Sequence, residues 1–191
     1  MTFESAPSTS PAPSTLPGVH FGRLVSYGDV RGSFTELWRG SNATSGSDPF
    51  VQANLSTSSQ GVLRGLHLHQ RQFDYWVVVS GKAFVALVDA RGPISGATPL
   101  ATVETRELAP NDWVTIPAGV AHGFLALEAT RLLYLVTNEY DGSDELGFAW
   151  DDPAVAVPWP VLRATADGRP IVSERDAANP SLAELVARLR D

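Results

Sequence analysis

Short runs of alternating apolar and polar residues recur along the middle of the chain, separated by turns rich in Gly, Pro, Asn and Ser. Side chains of a β-strand point alternately to the two faces of a sheet, so this period predicts half-buried strands. We predict ten strands, at residues 19–25, 32–37, 50–56, 61–69, 74–79, 83–89, 101–108, 113–116, 119–126 and 131–137. Many short strands in one domain favour an all-β barrel or a double-sheet jelly roll.

Two further local patterns complete the predicted elements. Ser80 and Gly81 separate two strand-like runs and predict a tight hairpin between them. Residues 179–191, NPSLAELVARLRD, change to a helical period, with apolar side chains at Leu182, Leu185, Val186 and Leu189. The chain therefore ends in a short predicted helix.

The first 17 residues differ in composition from the rest of the chain. They are rich in Ser, Thr, Pro and Ala, and they lack the basic start and apolar segment of a secretory signal. Such a composition does not support a packed core. We expect residues 1–17 to form a disordered tail and residues 18–191 to form one domain.

Composition excludes several classes of function. The net charge of −7 argues against a groove that binds nucleic acid through its phosphates. No run reaches the roughly 18 apolar residues of a membrane span, so we expect no membrane partner. The chain has no cysteine, which removes disulfide and thiolate chemistry and fits a cytoplasmic protein.

The stretch GVLRGLHLHQRQFDYWVVVSGK contains the residues best suited to catalysis or metal binding. His67 and His69 are spaced so that both side chains of a strand would face one space, and Asp74 follows five residues later. His122 lies in the stretch DWVTIPAGVAHGF, after another predicted strand. The residues alone leave three roles open: metal ligands, an acid–base pair, or packing.

These two stretches resemble the two sequence motifs of the cupin superfamily, with Asp74 at the position of that superfamily's Glu. The resemblance implies a metal site of His67, His69, Asp74 and His122. Imidazoles and a carboxylate facing a barrel interior suit a divalent Fe, Mn, Ni, Co or Zn ion.

A longer resemblance covers almost the whole folded chain. The segments PGVHFGRLVSYGDVRGSFTELW, FVQANLSTSSQGVLRGLH, IPAGVAHGFLAL, LLYLVTNEY, FAWDDP and VSERDAANP follow one another in this order. Together they resemble the dTDP-4-dehydrorhamnose 3,5-epimerase family, which is itself cupin-shaped. The resemblance implies a cupin-type double-stranded β-helix, or jelly roll, that forms a homodimer and acts on a dTDP-4-keto-6-deoxyhexose without a metal or organic cofactor.

The resemblance also implies catalytic roles. His67, in RGLH, would remove a proton from the carbon beside the sugar ketone. Asp176 would orient and charge that imidazole, and Tyr134 would reprotonate the opposite face. General chemistry agrees, since epimerisation needs a base on one face and an acid on the other, and a carboxylate behind an imidazole fixes its tautomer.

Further family positions fall on polar residues that would bind the substrate. Arg31 and Arg64 would clamp the diphosphate, because a guanidinium fork matches phosphate oxygens. The complete substrate-binding set implied by the resemblance is Arg31, Glu36, Gln52, Asn54, Arg64, His122 and Tyr140.

The chain departs from the family pattern at one catalytic position. The family has a Lys seven residues before the turn Gly, where it stabilises the enolate oxygen, and this position is Asp74 here. The chain's single lysine, Lys82, lies beyond the turn. Val85 replaces a family Asp, and Trp76 stands where a smaller residue is expected. A carboxylate repels an enolate, so either a bound cation replaces the Lys or the chemistry has changed.

Three hypotheses follow. The first is an isomerase, a 3,5-, 3- or 5-epimerase of a dTDP-sugar in deoxysugar biosynthesis, for which the Arg-rich, Lys-poor composition favours decoration of a natural product such as an antibiotic. The second is a metal-dependent oxygenase, lyase or cyclase that acts on a non-sugar metabolite through His67, His69, Asp74 and His122. The third is a non-catalytic protein that binds a nucleotide sugar.

Overall fold

The computed structural model describes residues 12–42 and 48–190. Its strands, in chain order, are β1 (His20–Arg23), β2 (Ser26–Asp29), β3 (Gly32–Thr35), β4 (Gln52–Ser58), β5 (Leu63–Leu68), β6 (Asp74–Ser80), β7 (Ala83–Asp89), β8 (Thr102–Leu108), β9 (Asp112–Ile116), β10 (Val120–Ala126), β11 (Thr130–Val136) and β12 (Leu146–Gly147). The helices are α1 (Arg91–Ser95), α2 (Glu174–Ala177) and α3 (Leu182–Arg190), with single 3₁₀ turns at Gly40–Asn42 and Val161–Arg163.

Ten of the strands form two antiparallel sheets. The first sheet has the order β1-β9-β6-β11-β4, and the second has the order β12-β5-β10-β7-β8. β2 and β3 pair only with each other among the described strands, as a separate hairpin. This arrangement confirms the predicted all-β double-sheet fold with a short C-terminal helix.

The main core lies between the two sheets. Trp76, Val78 and Leu132 contribute from the first sheet, and Leu87 and Phe124 contribute from the second. Alternate residues of each strand therefore meet across the interface, which is the packing that the period of two predicted.

The second sheet is buried on its outer face as well. Leu182 and Leu185 of α3 pack with Phe148 against residues of β5, β7 and β10. All seven residues of β10 are buried as a result. α3 explains the apolar spacing of the C-terminal segment, because the buried side chains lie on one side of the helix. Asp191, the last residue of the predicted helix, lies outside the described residues.

All ten predicted strands overlap observed ones, but the predicted hairpin at Ser80 and Gly81 is wrong. β6 belongs to the first sheet and β7 to the second, so the turn carries the chain between sheets. Gly81 has a φ of +80°, and a Cβ there would collide with the carbonyl of Ala129. A Ser-Gly turn between two apolar runs specifies a reversal of the chain, not which strands then pair.

Part of the predicted N-terminal tail lies within the described residues. Leu16 is buried in the main core, and Ser14 donates a hydrogen bond to Glu104 over 2.6 Å. Residues 1–11 lie outside the described residues. The domain boundary at residue 18 stays a prediction. Among the described helices, none is long and apolar enough to cross a membrane.

β5 and β10 approach each other closely at Gly65 and Gly123. Gly65 has a φ of +121°, and an ideal Cβ there would lie 2.7 Å from the Cα of Gly123 and 2.8 Å from the carbonyl oxygen of His122. The register between the strands shifts at the same place, between His122 and Phe124. Glycine is therefore required at this close approach of β5 and β10, next to the paired residues His67 and His122.

We expect Gly65→Ala to destabilise the protein by more than about 1 kcal/mol, because the methyl group meets backbone atoms and the φ is unfavourable. Urea unfolding of the variant and of Gly28→Ala would measure the effect. A Cβ on Gly28 would lie 3.8 Å from its nearest neighbour, the carbonyl of Gly32, so that control should unfold close to wild type. Equal midpoints for Gly65→Ala and wild type would contradict the proposed steric requirement.

Candidate active site

A cavity of about 250 Å³ opens between the two sheets. Ser56, Asp74, Trp76, Leu132 and Tyr134 line it from the first sheet, whereas Arg64, His67, His122 and Phe124 line it from the second. The remaining lining residues are His69, Gln72, Glu145 and Arg175. The two walls therefore carry different chemistry and face each other across the space.

A second cavity, of about 340 Å³, adjoins the first. The two share Gln72, Tyr134 and Glu145 as lining residues. Gln52, Asn54, Val136, Asn138 and Tyr140 complete the second cavity. The shared residues make the two cavities one continuous site, large enough for a ligand with two parts.

His67 and Asp176 form a pair at the edge of the first cavity. The Nε2 atom of His67 lies 2.9 Å from Oδ1 of Asp176, and the backbone N–H of Gly65 donates to Oδ2 over 3.2 Å. Ser173 caps the short helix α2 by accepting a hydrogen bond from the N–H of Asp176. The cap and the Gly65 N–H hold the carboxylate in place behind the imidazole.

The environment of Asp176 keeps it ionised. Burial raises its pKa, but the hydrogen bond and charge of His67, with the Gly65 N–H, outweigh burial and hold the pKa below its ordinary value. An ionised carboxylate only accepts hydrogen bonds, so Nε2 of His67 carries a proton, and in the neutral imidazole Nδ1 is the atom with the free lone pair. His67 is thus oriented as a base.

Tyr134 lies in β11 on the opposite wall from His67. It pairs in register with Asn54 of β4 and Trp76 of β6. Burial, followed by the negative charges of Asp74 and Glu145, raises the pKa of Tyr134. The phenol therefore stays protonated at neutral pH and is able to act as an acid.

His69, Asp74 and His122 form a separate buried group deeper in the cavity. One potential ligand atom from each lies within 4.8 Å of the others. The imidazole rings of His69 and His122 are 5.3 Å apart between centroids. The structure groups three of the four residues predicted to bind a metal, while His67, although opposite His122 in register, turns to Asp176.

The buried position of this group affects its charges. Burial raises the pKa of Asp74 to about 6, against the opposing effects of His69 and the Gln72 amide. Burial and then the neighbouring charges of His69 and His67 lower the pKa of His122 well below its ordinary value. His122 is therefore neutral at physiological pH, as a metal ligand or a hydrogen-bonding group would be.

Trp76 forms part of the cavity wall beside this group. Its ring meets the His122 ring edge-on, with centroids 5.0 Å apart. Its indole N–H is buried without a hydrogen-bond partner, although it lies close enough to Asp74 to favour the ionised carboxylate. An unpaired buried donor is costly, so it is available to an oxygen that enters the cavity.

The predicted substrate-binding residues divide into two groups. Gln52, Asn54 and Tyr140 line the second cavity, and Gln52 hydrogen-bonds both the Asn54 side chain and the Tyr140 N–H. Arg64 lines the first cavity and donates to Ser58 over 3.0 Å. These positions, together with His122, lie in one continuous site.

Arg31 and Glu36 do not join that site within one chain. Arg31 lies at the tip of the β2–β3 hairpin, exposed, and pairs with Asp29. Glu36 follows the hairpin and pairs with Arg39. Neither residue lines the cavities formed by the described residues.

Several residues of the site were not predicted from the sequence. Arg175 forms an ion pair with Glu145 over 2.9 Å, and both line the first cavity. The carbonyl oxygen of Asp144 lies 2.6 Å from Nδ1 of His69, and its carboxylate accepts hydrogen bonds from the N–H groups of Gln70 and Arg71. These contacts join segments 30 to 75 residues apart, and no local spacing indicates them.

Comparisons with known proteins agree on one family. The family model for dTDP-4-dehydrorhamnose 3,5-epimerase matches residues 13–184. A dTDP-4-dehydrorhamnose 3,5-epimerase of Sinorhizobium fredii is 36% identical over 168 residues, which cover 83% of this chain and 82% of that protein.

Solved structures give the same result. The rmlC epimerase of Mycobacterium tuberculosis superimposes with a TM-score of 0.81 at 32% identity, covering 92% of this chain and 89% of that one. NovW, a 4-keto-6-deoxy sugar epimerase from the novobiocin biosynthetic gene cluster of Streptomyces spheroides, gives 0.80 at 29% identity, covering 100% and 95%. The cupin-type fold is thereby confirmed, and the chain belongs to the dTDP-4-dehydrorhamnose 3,5-epimerase family.

Proposed function

We propose that the protein is an isomerase that epimerises a dTDP-4-keto-6-deoxyhexose at C3, C5 or both. The observation that carries this proposal is the His67–Asp176 pair on one wall of the cavity, with Tyr134 on the facing wall. A base and an acid on opposite walls address opposite faces of a sugar ring held between them. Membership of the epimerase family supports the same activity.

The proposed reaction transfers two protons. Nδ1 of His67 takes the proton from the carbon beside the ketone, and the electron pair of that C–H bond moves to the ketone oxygen as an enolate. The Tyr134 hydroxyl then donates its proton to the other face of the carbon, while the enolate returns to the ketone. The configuration inverts, and Asp176 stabilises the imidazolium formed in the first step. Both groups come from the chain, so these transfers require no organic cofactor.

The second cavity suits the nucleotide. Gln52 and Asn54 offer amide groups beside an exposed aromatic ring, Tyr140, which is the chemistry that a pyrimidine base requires. Arg64 lies at the first cavity, where its guanidinium is placed to meet a diphosphate. The sugar would then lie between His67 and Tyr134.

A homodimer would account for Arg31 and Glu36. The β2–β3 hairpin extends from the sheets with Val30 fully exposed and Phe34 68% exposed. Leu55, on the edge strand β4 of the first sheet, is 49% exposed. Apolar groups in such positions favour burial against a second copy, which would bring the hairpin residues to a partner's cavity.

The biological setting proposed is deoxysugar biosynthesis. The likeness to an epimerase from an antibiotic gene cluster supports decoration of a natural product. The cytoplasmic location stays a prediction.

The proposal is tested by incubating the purified protein with dTDP-4-keto-6-deoxyglucose and following the sugar by NMR. We expect new ring-proton couplings that report inversion at C3, C5 or both. We also expect dTDP alone, at about 100 times its Kd, to stabilise the fold by about 2.7 kcal/mol. The thermal unfolding temperature should rise accordingly.

The outcomes separate the three hypotheses. Stabilisation by dTDP without inversion would favour the non-catalytic binding protein. No stabilisation and no inversion would contradict a nucleotide-sugar substrate and would return the metal-dependent enzyme to consideration. Family membership supports the epimerase over both.

A further inference from the structure

We infer that His69, Asp74 and His122 bind one divalent transition-metal ion inside the sugar cavity. All three side chains are buried, and their potential ligand atoms lie within 4.8 Å of one another. A shift of about 1 Å by these side chains would place all three ligand atoms at roughly 2.0–2.2 Å from one ion, the usual ion–ligand distance. Two imidazoles and one carboxylate are ligands suited to Fe, Mn, Co, Ni or Zn.

Hydrogen bonds to carbonyl oxygens fix the tautomer of both imidazoles. Nδ1 of His69 lies 2.6 Å from the carbonyl oxygen of Asp144, and Nδ1 of His122 lies 3.2 Å from that of Val120. A carbonyl oxygen only accepts hydrogen bonds, so each Nδ1 carries the proton and each Nε2 keeps its lone pair. Metal-bound histidines are held in the same way by a hydrogen bond from the other ring nitrogen.

No lysine or arginine side chain pairs with Asp74 among the described residues. It is 2% exposed, and its oxygen atoms accept long hydrogen bonds from the Gln72 amide, at 3.2 and 3.4 Å, with the Trp76 indole N–H nearby. A buried carboxylate is costly unless a cation or strong hydrogen bonds compensate its charge. An ion between Asp74 and the two Nε2 atoms would supply that charge.

Ordinary packing explains this group less well. No hydrogen bond joins His69, Asp74 and His122 to one another, although all three are buried and their potential ligand atoms lie within 4.8 Å of one another. Buried polar side chains that serve only as packing would be expected to form hydrogen bonds with one another. The indole N–H of Trp76, beside this group, also has no hydrogen-bond partner and is able to donate to an oxygen atom of a ligand.

The proposed ion leaves His67 free. Nε2 of His67 is engaged by Asp176, which orients it for proton transfer. Three protein ligands leave open coordination positions on the cavity side, and a ketone oxygen is able to occupy one of them. The metal and the base would therefore act on the same substrate from different residues.

The role of the ion rests on the proposed function. When the C–H bond breaks and His67 takes the proton, negative charge develops on the ketone oxygen and needs a positive group nearby. Two cations line the first cavity: Arg175 pairs with Glu145, and Arg64 is assigned to the diphosphate by the proposed function, so neither is assigned to the ketone oxygen. An ion held by Asp74 would stabilise the enolate at a position where an unpaired carboxylate would repel it.

Metal binding is tested without any substrate. The protein is stripped with a chelator and titrated with Co²⁺ by visible absorption, and with Zn²⁺ by calorimetry. We expect one equivalent to bind. Since loss of an outer partner of a metal site costs about 10–100-fold in affinity, each of His69→Asn, Asp74→Asn and His122→Asn should cost about 100-fold or more.

Two matched controls define the ligand set. His20→Asn removes the fourth histidine, which lies exposed on β1, and His67→Asn removes the proposed base; both should keep wild-type affinity. If His67→Asn abolished binding, the three-residue site would be wrong. If no ion bound in a stoichiometric amount, or if Asp74→Asn bound as tightly as wild type, the inference would be overturned.

One further measurement uses the wild-type protein and so does not depend on whether the variants fold. Pulsed EPR of the wild-type protein loaded with Cu²⁺ should show two coupled imidazole nitrogens, whereas one, three or none would contradict the site. If no metal ion bound, the NMR assay would still show whether the protein epimerises the sugar. If the protein did not epimerise the sugar, the titration would still show whether it binds a metal ion. The two proposals therefore fail independently.

Discussion

His67→Asn is expected to lower the rate of epimerisation by about 10²–10⁴-fold, the usual contribution of a general base. The asparagine amide is still able to donate a hydrogen bond to Asp176, so the carboxylate keeps a partner and the fold should persist. What disappears is the lone pair on Nδ1 that receives the proton. Initial rates from NMR at saturating substrate would measure the loss.

His20→Asn is the matched control for this change. It makes the same substitution at an exposed position on β1, outside both cavities, and should retain wild-type activity. Circular dichroism and dTDP stabilisation should be equal in the two variants. If His67→Asn kept more than about a tenth of the wild-type rate, His67 would not be the general base.

Tyr134→Phe is expected to separate proton exchange from inversion. The base on the second sheet would still remove the proton, but no acid on the first sheet would deliver one to the opposite face. In D₂O the recovered sugar should carry deuterium with its original configuration, because reprotonation then occurs from the side of His67. Inversion should fall by about 10²-fold or more.

Tyr75→Phe is the control for the loss of a tyrosine hydroxyl. Tyr75 lies in β6 next to Trp76 but does not line either cavity, and its hydroxyl donates to the carbonyl of Leu37. The change should cost about 1 kcal/mol of stability and leave the ratio of inversion to exchange unchanged. Loss of both exchange and inversion in Tyr134→Phe would show that Tyr134 acts before the proton is removed.

The strands were predictable because a half-buried strand imposes a period of two on its residues. Exceptions have physical reasons. β2 was missed because its residues, SYGD, include one large apolar side chain and no buried one, whereas the run predicted over β3 continues to Leu37. β12 was missed because it has only two residues. The exchange of sheets at Gly81 depends on which distant strands pair, which a local pattern does not encode.

The site was predictable where its residues are neighbours in sequence, and through family resemblance elsewhere. The HxH spacing correctly placed His67 and His69 at one cavity. It did not indicate that His67 and His69 have different partners, since Asp176 in α2 is 109 residues from His67 and Asp144 is 75 residues from His69. That difference divides the site into the pair proposed to transfer the proton and a separate group of three candidate ligands.

The most direct test of the proposed chemistry is deuterium uptake by dTDP-4-keto-6-deoxyglucose incubated with the wild-type protein in D₂O. We expect one or two deuterons on the carbons beside the ketone, located by NMR and counted by mass. One deuteron would identify a single-centre epimerase, and two would identify a 3,5-epimerase. A recovered sugar without deuterium would contradict proton abstraction in this cavity.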